Sequence, residues 1–435
     1  MTTAALSNWS GNYTYRAPRV HRPDTVEQLQ ELVAGAGRAK ALGSRHCFND
    51  IADTQGDLID VTALPVEVLP DRAAGTVRVS AGTSYGALAV ALHRESLALA
   101  NLASLPHISV AGAVATGTHG SGVGNQTLAA AVTGMELVRG SGELLTMTRA
   151  DEAFAGSVVS LGALGVFTTM TLAVEPTFDV RQDVFENLPW AELRTHFDAI
   201  VGAAYSVSLF TDLVGPAVSQ VWCKSRITDT GSPTTDSAVF DAAGVVRRSF
   251  FGAAPATVAR HPLPGLPGDV CTGQLGISGP WYERLPHFQP AFTPSSGDEV
   301  QSEYLVPRGR AVEVIEILRG LGPRIAPLLQ VCEIRTVAAD DLWLSPAYQQ
   351  DSVAVHFTWR NDERAVLVLL AEIETALAGC RPRPHWGKLF VADADRLAGR
   401  YPLLPDFRRL IDELDPAGVF RNDYLDRLLI GGATG

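Results

Sequence analysis

The sequence predicts an α+β protein built as two domains. Two observations carry this. The chain has 435 residues, 46% of them hydrophobic and 19% charged, which is enough apolar material for more than one core in an ordinary globular protein. Helical and strand periodicities alternate up to Pro176, and beyond it helices mix with strands that carry polar positions.

The first helix is expected over Thr25 to Ala36, where Val26, Leu29, Leu32 and Val33 recur at helical spacing. Ala39 to Leu42 is a short apolar strand that opens into Gly43. Asp57 to Val61 and Thr76 to Ala81 are strands, and Tyr85 to Leu97 is a helix ended by the run Ala98-Leu99-Ala100-Asn101. Met135 to Val138 and Leu144 to Thr148 flank Arg139-Gly140-Ser141-Gly142 as a hairpin. Val166 to Val174 is a further strand, and Pro176 marks a domain boundary. Residues 228 to 269 are rich in turn formers, and part of this stretch is expected to be mobile. Asp362 to Leu377 is a helix, after which Arg381-Pro382-Arg383-Pro384 resets the chain before Lys388. There is no internal repeat and no low-complexity tract.

Charge and composition exclude several classes. A net charge of −12 argues against nucleic acid or an anionic membrane as partner, and fits a neutral small substrate. Met1 to Asn12 has no basic residue and no apolar run of signal length. No apolar stretch approaches ~20 residues, so no membrane span is expected. Cys47, Cys223, Cys271, Cys332 and Cys380 are an odd, scattered set without Cys-x-x-Cys, as expected of reduced thiols in a cytoplasmic protein. No His, Cys and carboxylate cluster has metal-ligand spacing, so no metal is expected.

Two stretches carry chemistry. The first is Ala41-Leu42-Gly43-Ser44-Arg45-His46, where the strand opens into glycine and ends on histidine. The second runs from Ser109 through Gly112, Thr116, Gly117, Thr118 and His119 to Gly124, with five glycines and no Lys, Arg, Asp or Glu. Small uncharged residues let a backbone approach an anion and offer it peptide N–H groups. They equally suit a tight packing corner. Gly35-Ala36-Gly37 lacks the third glycine of a Rossmann turn and follows a helix, and no P-loop occurs, so a dinucleotide would need another architecture. Gly82-Thr83-Ser84-Tyr85-Gly86 matches the nucleophile elbow of hydrolases, but Thr83 or Ser84 capping the next helix explains it as well.

Strand geometry points to a polar surface further on. In Val331 to Thr336, Glu333 and Arg335 share one face, with Cys332, Ile334 and Thr336 on the other. In Val353 to Trp359, His356 and Thr358 share a face opposite Val355, Phe357 and Trp359. If the apolar faces pack a core, these four polar groups line a common surface; otherwise each strand simply has a wet outer face.

The chain resembles the vanillyl-alcohol-oxidase family of FAD enzymes, and within it the bacterial alditol (xylitol) oxidases. The resemblance runs from Asn8-Trp9-Ser10-Gly11-Asn12 to Asp415 through Asn422. Its landmarks are Gly43-Ser44-Arg45-His46, Ala103-Ser104-Leu105-Pro106-His107-Ile108-Ser109, Cys332-Glu333-Ile334-Arg335-Thr336, His356-Phe357-Thr358-Trp359 and His385-Trp386-Gly387-Lys388. It implies a two-domain fold with a PCMH-type FAD-binding domain over 1–176 plus 389–435. A separate substrate (cap) domain containing an antiparallel sheet would span 177–388. It implies covalent FAD on a ring nitrogen of His46; a hydrogen-bonded loop histidine is the lesser alternative for that residue. Ala41, Leu42, Gly43, Ser44, Arg45, Cys47, Ser104, Ser109, Gly112, Thr116, Gly117, Thr118, His119, Val166 and His385 would help to hold the cofactor. No cysteine lies near Leu105 to Ser109, where some relatives make a second flavin bond, so a single histidyl link is expected. Cys47 is a poor second anchor because adjacent side chains in extended chain diverge. Whether Arg45 affects the flavin or reaches solvent does not follow from the sequence.

The implied activity is oxidation of a polyol's primary alcohol, with oxygen reduced to hydrogen peroxide, by a protein expected to be monomeric. Polyol hydroxyls both donate and accept hydrogen bonds, so a carboxylate and a cation in fixed positions suit them. Glu333, Arg335, Ser104 and Thr358 are the expected substrate contacts together with Lys388, and His107 and His385 are expected to be flavin-side or structural. Lys388 and His356 are the candidates for the hydroxyl proton, with His356 as acceptor and Lys388 as electrostatic partner. A sugar-lactone oxidase or dehydrogenase shares the His-Trp-x-Lys segment and is the nearest rival. A hydrolase acting through Ser84, or a binding protein without turnover, would give a colourless preparation.

Overall fold

The computed structural model describes residues 6–227, 239, 246–289, 292 and 298–430. Residues 228–238 and 240–245, in the first part of the stretch expected to be partly mobile, lie outside the described residues. Three packed units position the site. A small parallel sheet orders Arg19–His21, Asp57–Asp60 and Ala39–Leu42. The helix Val26–Gly35, capped by Thr25, buries Leu29 and Val33 in the small core that this sheet shares with Val138, Val166 and Phe420.

A five-stranded antiparallel sheet runs Val68–Asp71, Thr76–Ser80, Val166–Ala173, Val132–Val138, Leu144–Thr148. The expected hairpin is its last pair. The largest apolar core joins this sheet to the helices Tyr85–Arg94, Val110–Ala115 and the C-terminal Leu404–Leu414. Ser84 caps the first of these, its hydroxyl accepting from the Ala87 N–H at 3.2 Å. The capping role explains Ser84. That helix stops at Arg94, not Leu97: Ser96 takes a left-handed φ of 56°, and Leu97–Ala98 instead pairs antiparallel with Glu175–Pro176.

The second half is dominated by a large antiparallel sheet. Its order is Ala254–Pro255, Asp179–Pro189, Ala217–Ile227, Ser206–Thr211, Leu329–Val337, Ser352–Arg360, Glu299–Pro307, Arg383–Pro384, with Ser278–Pro280 also on Asp179–Pro189. One face is apolar. Val207, Leu209, Cys332, Ile334, Val355, Phe357 and Trp359 pack there under the helices Trp190–Val201, Ala311–Gly320 and Glu363–Ala376. Because strand side chains alternate, burying that set turns the polar set of the same strands to the opposite face.

Candidate active site

That opposite face closes one side of a cavity of about 640 Å³. The strands Leu329–Val337 and Ser352–Arg360 are neighbours, with Glu333 directly across from His356. Glu333, Arg335, His356 and Thr358 all line the cavity, with Ser104, His385 and Lys388. The alternation argument therefore holds for all four strand residues.

The next strand supplies a group that the sequence argument missed. Glu303, on Glu299–Pro307, lies across from His356 and is 1% exposed. Its carboxylate receives Nζ of Lys388 and Nη2 of Arg335, each at 2.6 Å, and Nε2 of His119 lies 3.3 Å away. Burial pushes this carboxyl up, but Lys388, Arg335 and His119 outweigh it and hold it well below the usual carboxylate range. Glu299, Gln301 and Glu303 alternate with Val300, Ser302 and Tyr304, so the same strand pattern could have found it.

Lys388 also reaches Nδ1 of His356 at 2.6 Å, while Nε2 of His356 faces Thr358 Oγ1 at 3.2 Å. Burial lowers the pKa of Lys388, and it lowers that of His356 to about 4 with help from Lys388. His356 is thus a neutral ring at neutral pH. Arg335 Nη1 donates to Ser104 Oγ at 3.2 Å, tying the loop of the first half to the sheet of the second. Glu333 accepts from His287 at 2.7 Å. His287, a cavity residue on an irregular segment, carries no periodic signal and was also missed.

The other end of the cavity is made by residues 40–48 and the start of Val110–Ala115. Ala41, Leu42, Gly43, Ser44, Arg45, His46, Cys47, Ser109, Gly112, Thr116, Thr118 and His119 line it. Gly117 and Val166 do not. Gly117, at φ 67°, turns the chain after that helix, and Val166 is fully buried in the small core. A Cβ on Gly43 would strike Ser109 Oγ, and one on Gly112 would lie 2.7 Å from it, so these glycines allow a close approach of two segments.

His46 lies between Trp9, with ring centroids 4.4 Å apart, and His107, at 4.6 Å. Its Nε2 is 3.4 Å from Nε2 of His107, and its Nδ1 is buried without a hydrogen-bond partner among the described residues. Burial lowers its pKa to about 3. Arg45 takes a left-handed φ of 59°, and its exposed guanidinium donates to the Ser7 carbonyl. The chain is therefore not extended here, and Cys47 reaches the cavity wall beside His46, against the expectation of divergence. Burial raises the Cys47 thiol to about 12, so it stays protonated and is a weak nucleophile for another reason. Lys40, fully buried, donates to the carbonyls of Leu161 and Gly162 at this end.

These residues fit FAD. Apart from Lys40 and Arg45 the wall is uncharged and built largely from small residues, and two buried polar atoms, His46 Nδ1 and Ser109 Oγ, have no hydrogen-bond partner among the described residues. The family model described as FAD binding domain matches residues 17–148, which contain this wall. Fold, wall and match together define an FAD-dependent oxidoreductase. A family model described as D-arabinono-1,4-lactone oxidase matches residues 298–428. The alditol oxidase of a Streptomyces species is 49% identical over 432 residues, spanning 99% of this chain and 100% of the relative. The L-gulono-1,4-lactone dehydrogenase of Mycobacterium tuberculosis is 31% identical, spanning 97% and 98%. The cholesterol oxidase of Brevibacterium sterolicum has the same fold, with a TM-score of 0.76 at 17% identity over 98% of this chain and 96% of that one. The chain belongs to the alditol oxidase family and carries an FAD-binding domain.

Proposed function

We propose that the protein oxidises the terminal primary alcohol of alditols such as xylitol and sorbitol to the aldose, with oxygen reduced to hydrogen peroxide. The observation that carries this is the convergence of Ser104, Glu333, Arg335, Thr358 and Lys388 on one cavity wall. They offer acceptors, donors and two-way hydroxyls to a neutral, hydroxyl-dense substrate. The 49% identity to an alditol oxidase supports the same reading.

Bound FAD supplies the hydride acceptor and, with oxygen, the route to peroxide. The residues of the chain handle the proton. When Lys388 is neutral, as burial favours, His356 carries its proton on Nδ1 and directs it to Lys388. Nε2 then accepts the hydroxyl proton of the substrate while the Nδ1 proton passes to Lys388, so the pair gains one proton and ends as ammonium beside neutral imidazole. Glu303 stabilises that ammonium at 2.6 Å. In this arrangement His356 is the acceptor and Lys388 the terminus of the relay.

His46 is the proposed covalent anchor, and Nδ1 is its free ring nitrogen because Nε2 faces His107. Acid precipitation tests this: yellow colour should stay with the pellet, and colour released wholly into the supernatant removes the link. Residues 1–176 with 389–435 are proposed as the FAD-binding domain and 177–388 as the substrate domain. The large sheet, which lies between 179 and 384, supports this division. A cytoplasmic location is proposed as well: no described helix is long and apolar enough to cross a membrane, and the five cysteines are unpaired. A monomer is proposed alongside it.

Oxygen uptake against xylitol, sorbitol, glycerol and a matched set of aldonolactones tests the activity. Uptake with the polyols alone is expected. A lactone reading is favoured by the match over residues 298–428 and by the dehydrogenase relative. Uptake with lactones alone would replace the alditol reading and make Glu333 and Arg335 lactone contacts.

A further inference from the structure

The polar face of the large sheet carries a second buried lysine that the proposed chemistry does not use. Lys224 sits within Ala217–Ile227 and is 1% exposed. Its Nζ donates to the carbonyls of Leu285 at 2.5 Å and Pro286 at 2.9 Å, and faces Nδ1 of His287 at 3.3 Å. An ammonium has three N–H groups, and these three acceptors use all of them. A neutral amine could accept only from an Nδ1–H of His287, which would leave a bare Nε2 lone pair 2.7 Å from the Glu333 carboxylate.

The tautomer of His287 follows. With Nδ1 accepting from Lys224, the single proton of the neutral ring is on Nε2. That nitrogen lies 2.7 Å from Glu333 Oε1, so it donates to the carboxylate. The ring has little freedom to do otherwise. It meets Phe210 and Trp222 edge-on at 5.6 and 5.3 Å. Its backbone N–H donates to the Ser104 carbonyl, its carbonyl accepts from Thr272, and Thr272 Oγ1 donates to the Pro286 carbonyl at 2.8 Å. Besides His287, Glu333 Oε1 has Arg335 Nε at 3.6 Å, whereas Oε2 has no hydrogen bond among the described residues. Burial lowers the pKa of His287 to about 4, consistent with a neutral ring.

We propose that Lys224 and His287 are positioning residues: Lys224 fixes the Nε2–H tautomer of His287, and His287 holds Glu333 Oε1 so that Oε2 is presented to a substrate hydroxyl. The proposal rests on the reading of Glu333 as a hydroxyl acceptor. It adds that the acceptor is set from behind by a lysine two groups away.

Ring ¹⁵N shifts of histidine-labelled holoenzyme, with His287 assigned by its loss in His287→Gln, read the tautomer directly. The wild type should show Nε2–H, and Lys224→Met should show a mixed or inverted ring. An Nδ1–H ring or an imidazolium in the wild type would overturn the proposal, as would an unchanged ring in Lys224→Met. Kinetics with xylitol give the second readout. Lys224→Met should raise KM about tenfold, the order expected for one lost hydrogen bond to a charged group, with kcat nearly constant. His287→Gln keeps an N–H near the place of Nε2 without a tautomer to fix, so its KM should stay within about threefold of wild type. In that background Lys224→Met should add nothing. An equal loss from Lys224→Met in both backgrounds would mean that the lysine acts only by packing, and the relay would be wrong. The wild-type tautomer and His287→Gln decide the matter even if Lys224→Met does not fold. Absence of alditol turnover would overturn the assignment of Glu333 while leaving the tautomer measurement to judge the relay alone.

Discussion

Glu303→Gln is the most informative single change, because one buried carboxylate neutralises both Lys388 and Arg335 at 2.6 Å. Two unit charges with centres about 4 Å apart interact by roughly 4 kcal/mol at an effective dielectric near 20. Losing that attraction makes Lys388 a weaker base, on top of the lowering already caused by burial. Two effects on substrate-driven flavin reduction follow. The acid limb of the pH–rate profile, where Lys388 must lose its proton to start the relay, moves to lower pH. The plateau also falls, on the order of 10²-fold, because the proton acceptor is weaker and Arg335 has lost its anchor. Stability shifts as well. Removing one member of a buried pair costs about 3–5 kcal/mol, nearer the lower figure here because Lys388 can shed its charge. The pKa of Glu303 is depressed in the folded protein, so its stabilising contribution is full above the unfolded carboxylate value near ~4.3 and is lost as pH falls through the lower folded value. The stability gap between wild type and variant should therefore close only in acid. Anaerobic stopped-flow reduction across pH, with denaturant unfolding of the same preparations, measures both. An acid limb that stays in place or moves up would refute the relay through Lys388.

Three further outcomes follow from the geometry. His356→Asn should slow flavin reduction by roughly 10²–10⁴-fold in the same stopped-flow assay, and a near-wild-type rate would remove the ring from proton transfer. Ser84→Ala should cost about 1 kcal/mol of stability through the lost cap on Tyr85–Arg94 and leave oxygen uptake unchanged; abolished turnover would revive a nucleophilic role. Gly43→Ala drives a methyl into Ser109 Oγ at the cofactor wall, so the ratio of flavin to protein absorbance should fall below that of wild type, and full flavin loading would show that the two segments can part without cost.

How far the sequence reaches depends on periodicity. Glu333, Arg335, His356 and Thr358 were legible because burying Cys332, Ile334, Val355 and Phe357 leaves them no other face. The same rule covers Glu303, whose strand alternates Glu299, Gln301 and Glu303 with Val300, Ser302 and Tyr304. What alternation cannot give is which strands are neighbours, and the direct pairing of Glu333 with His356 comes from tertiary packing. His287 and Lys224 were out of reach for different reasons. The first lies on a segment without period, and the second sits in a strand whose polar positions look like an ordinary wet face until the segment 285–287 covers it. The end of the helix at Arg94 turned on one left-handed serine, which no apolar pattern signals. Cys47 lies on the cofactor wall as expected, but beside His46, because the left-handed Arg45 bends a segment that an extended-strand rule treats as straight.

The charges of the site also speak to what it can accept. Glu303 and Glu333 face Arg335 and Lys388, so two carboxylates meet one permanent cation and a lysine that takes on its charge in the relay, while burial keeps His356 and His287 neutral. Lys224 lies behind Glu333, and its N–H groups are spent on two carbonyls and a ring nitrogen. Arg335 is held by Glu303 at 2.6 Å and approached by Glu333 at 3.6 Å, so it is not a free guanidinium awaiting an acid. An anionic substrate would have to break one of these pairs and leave a buried carboxylate exposed to it, a cost that a neutral polyol avoids. The hydroxyls of a polyol can instead donate to the open Glu333 Oε2 and accept from Lys388 without disturbing the pairs. Aldonic acids should therefore inhibit poorly beside the matching alditols. Competition measured at equal concentrations checks this, and an aldonate that binds more tightly than its alditol would mean that Arg335 leaves Glu303 when substrate arrives.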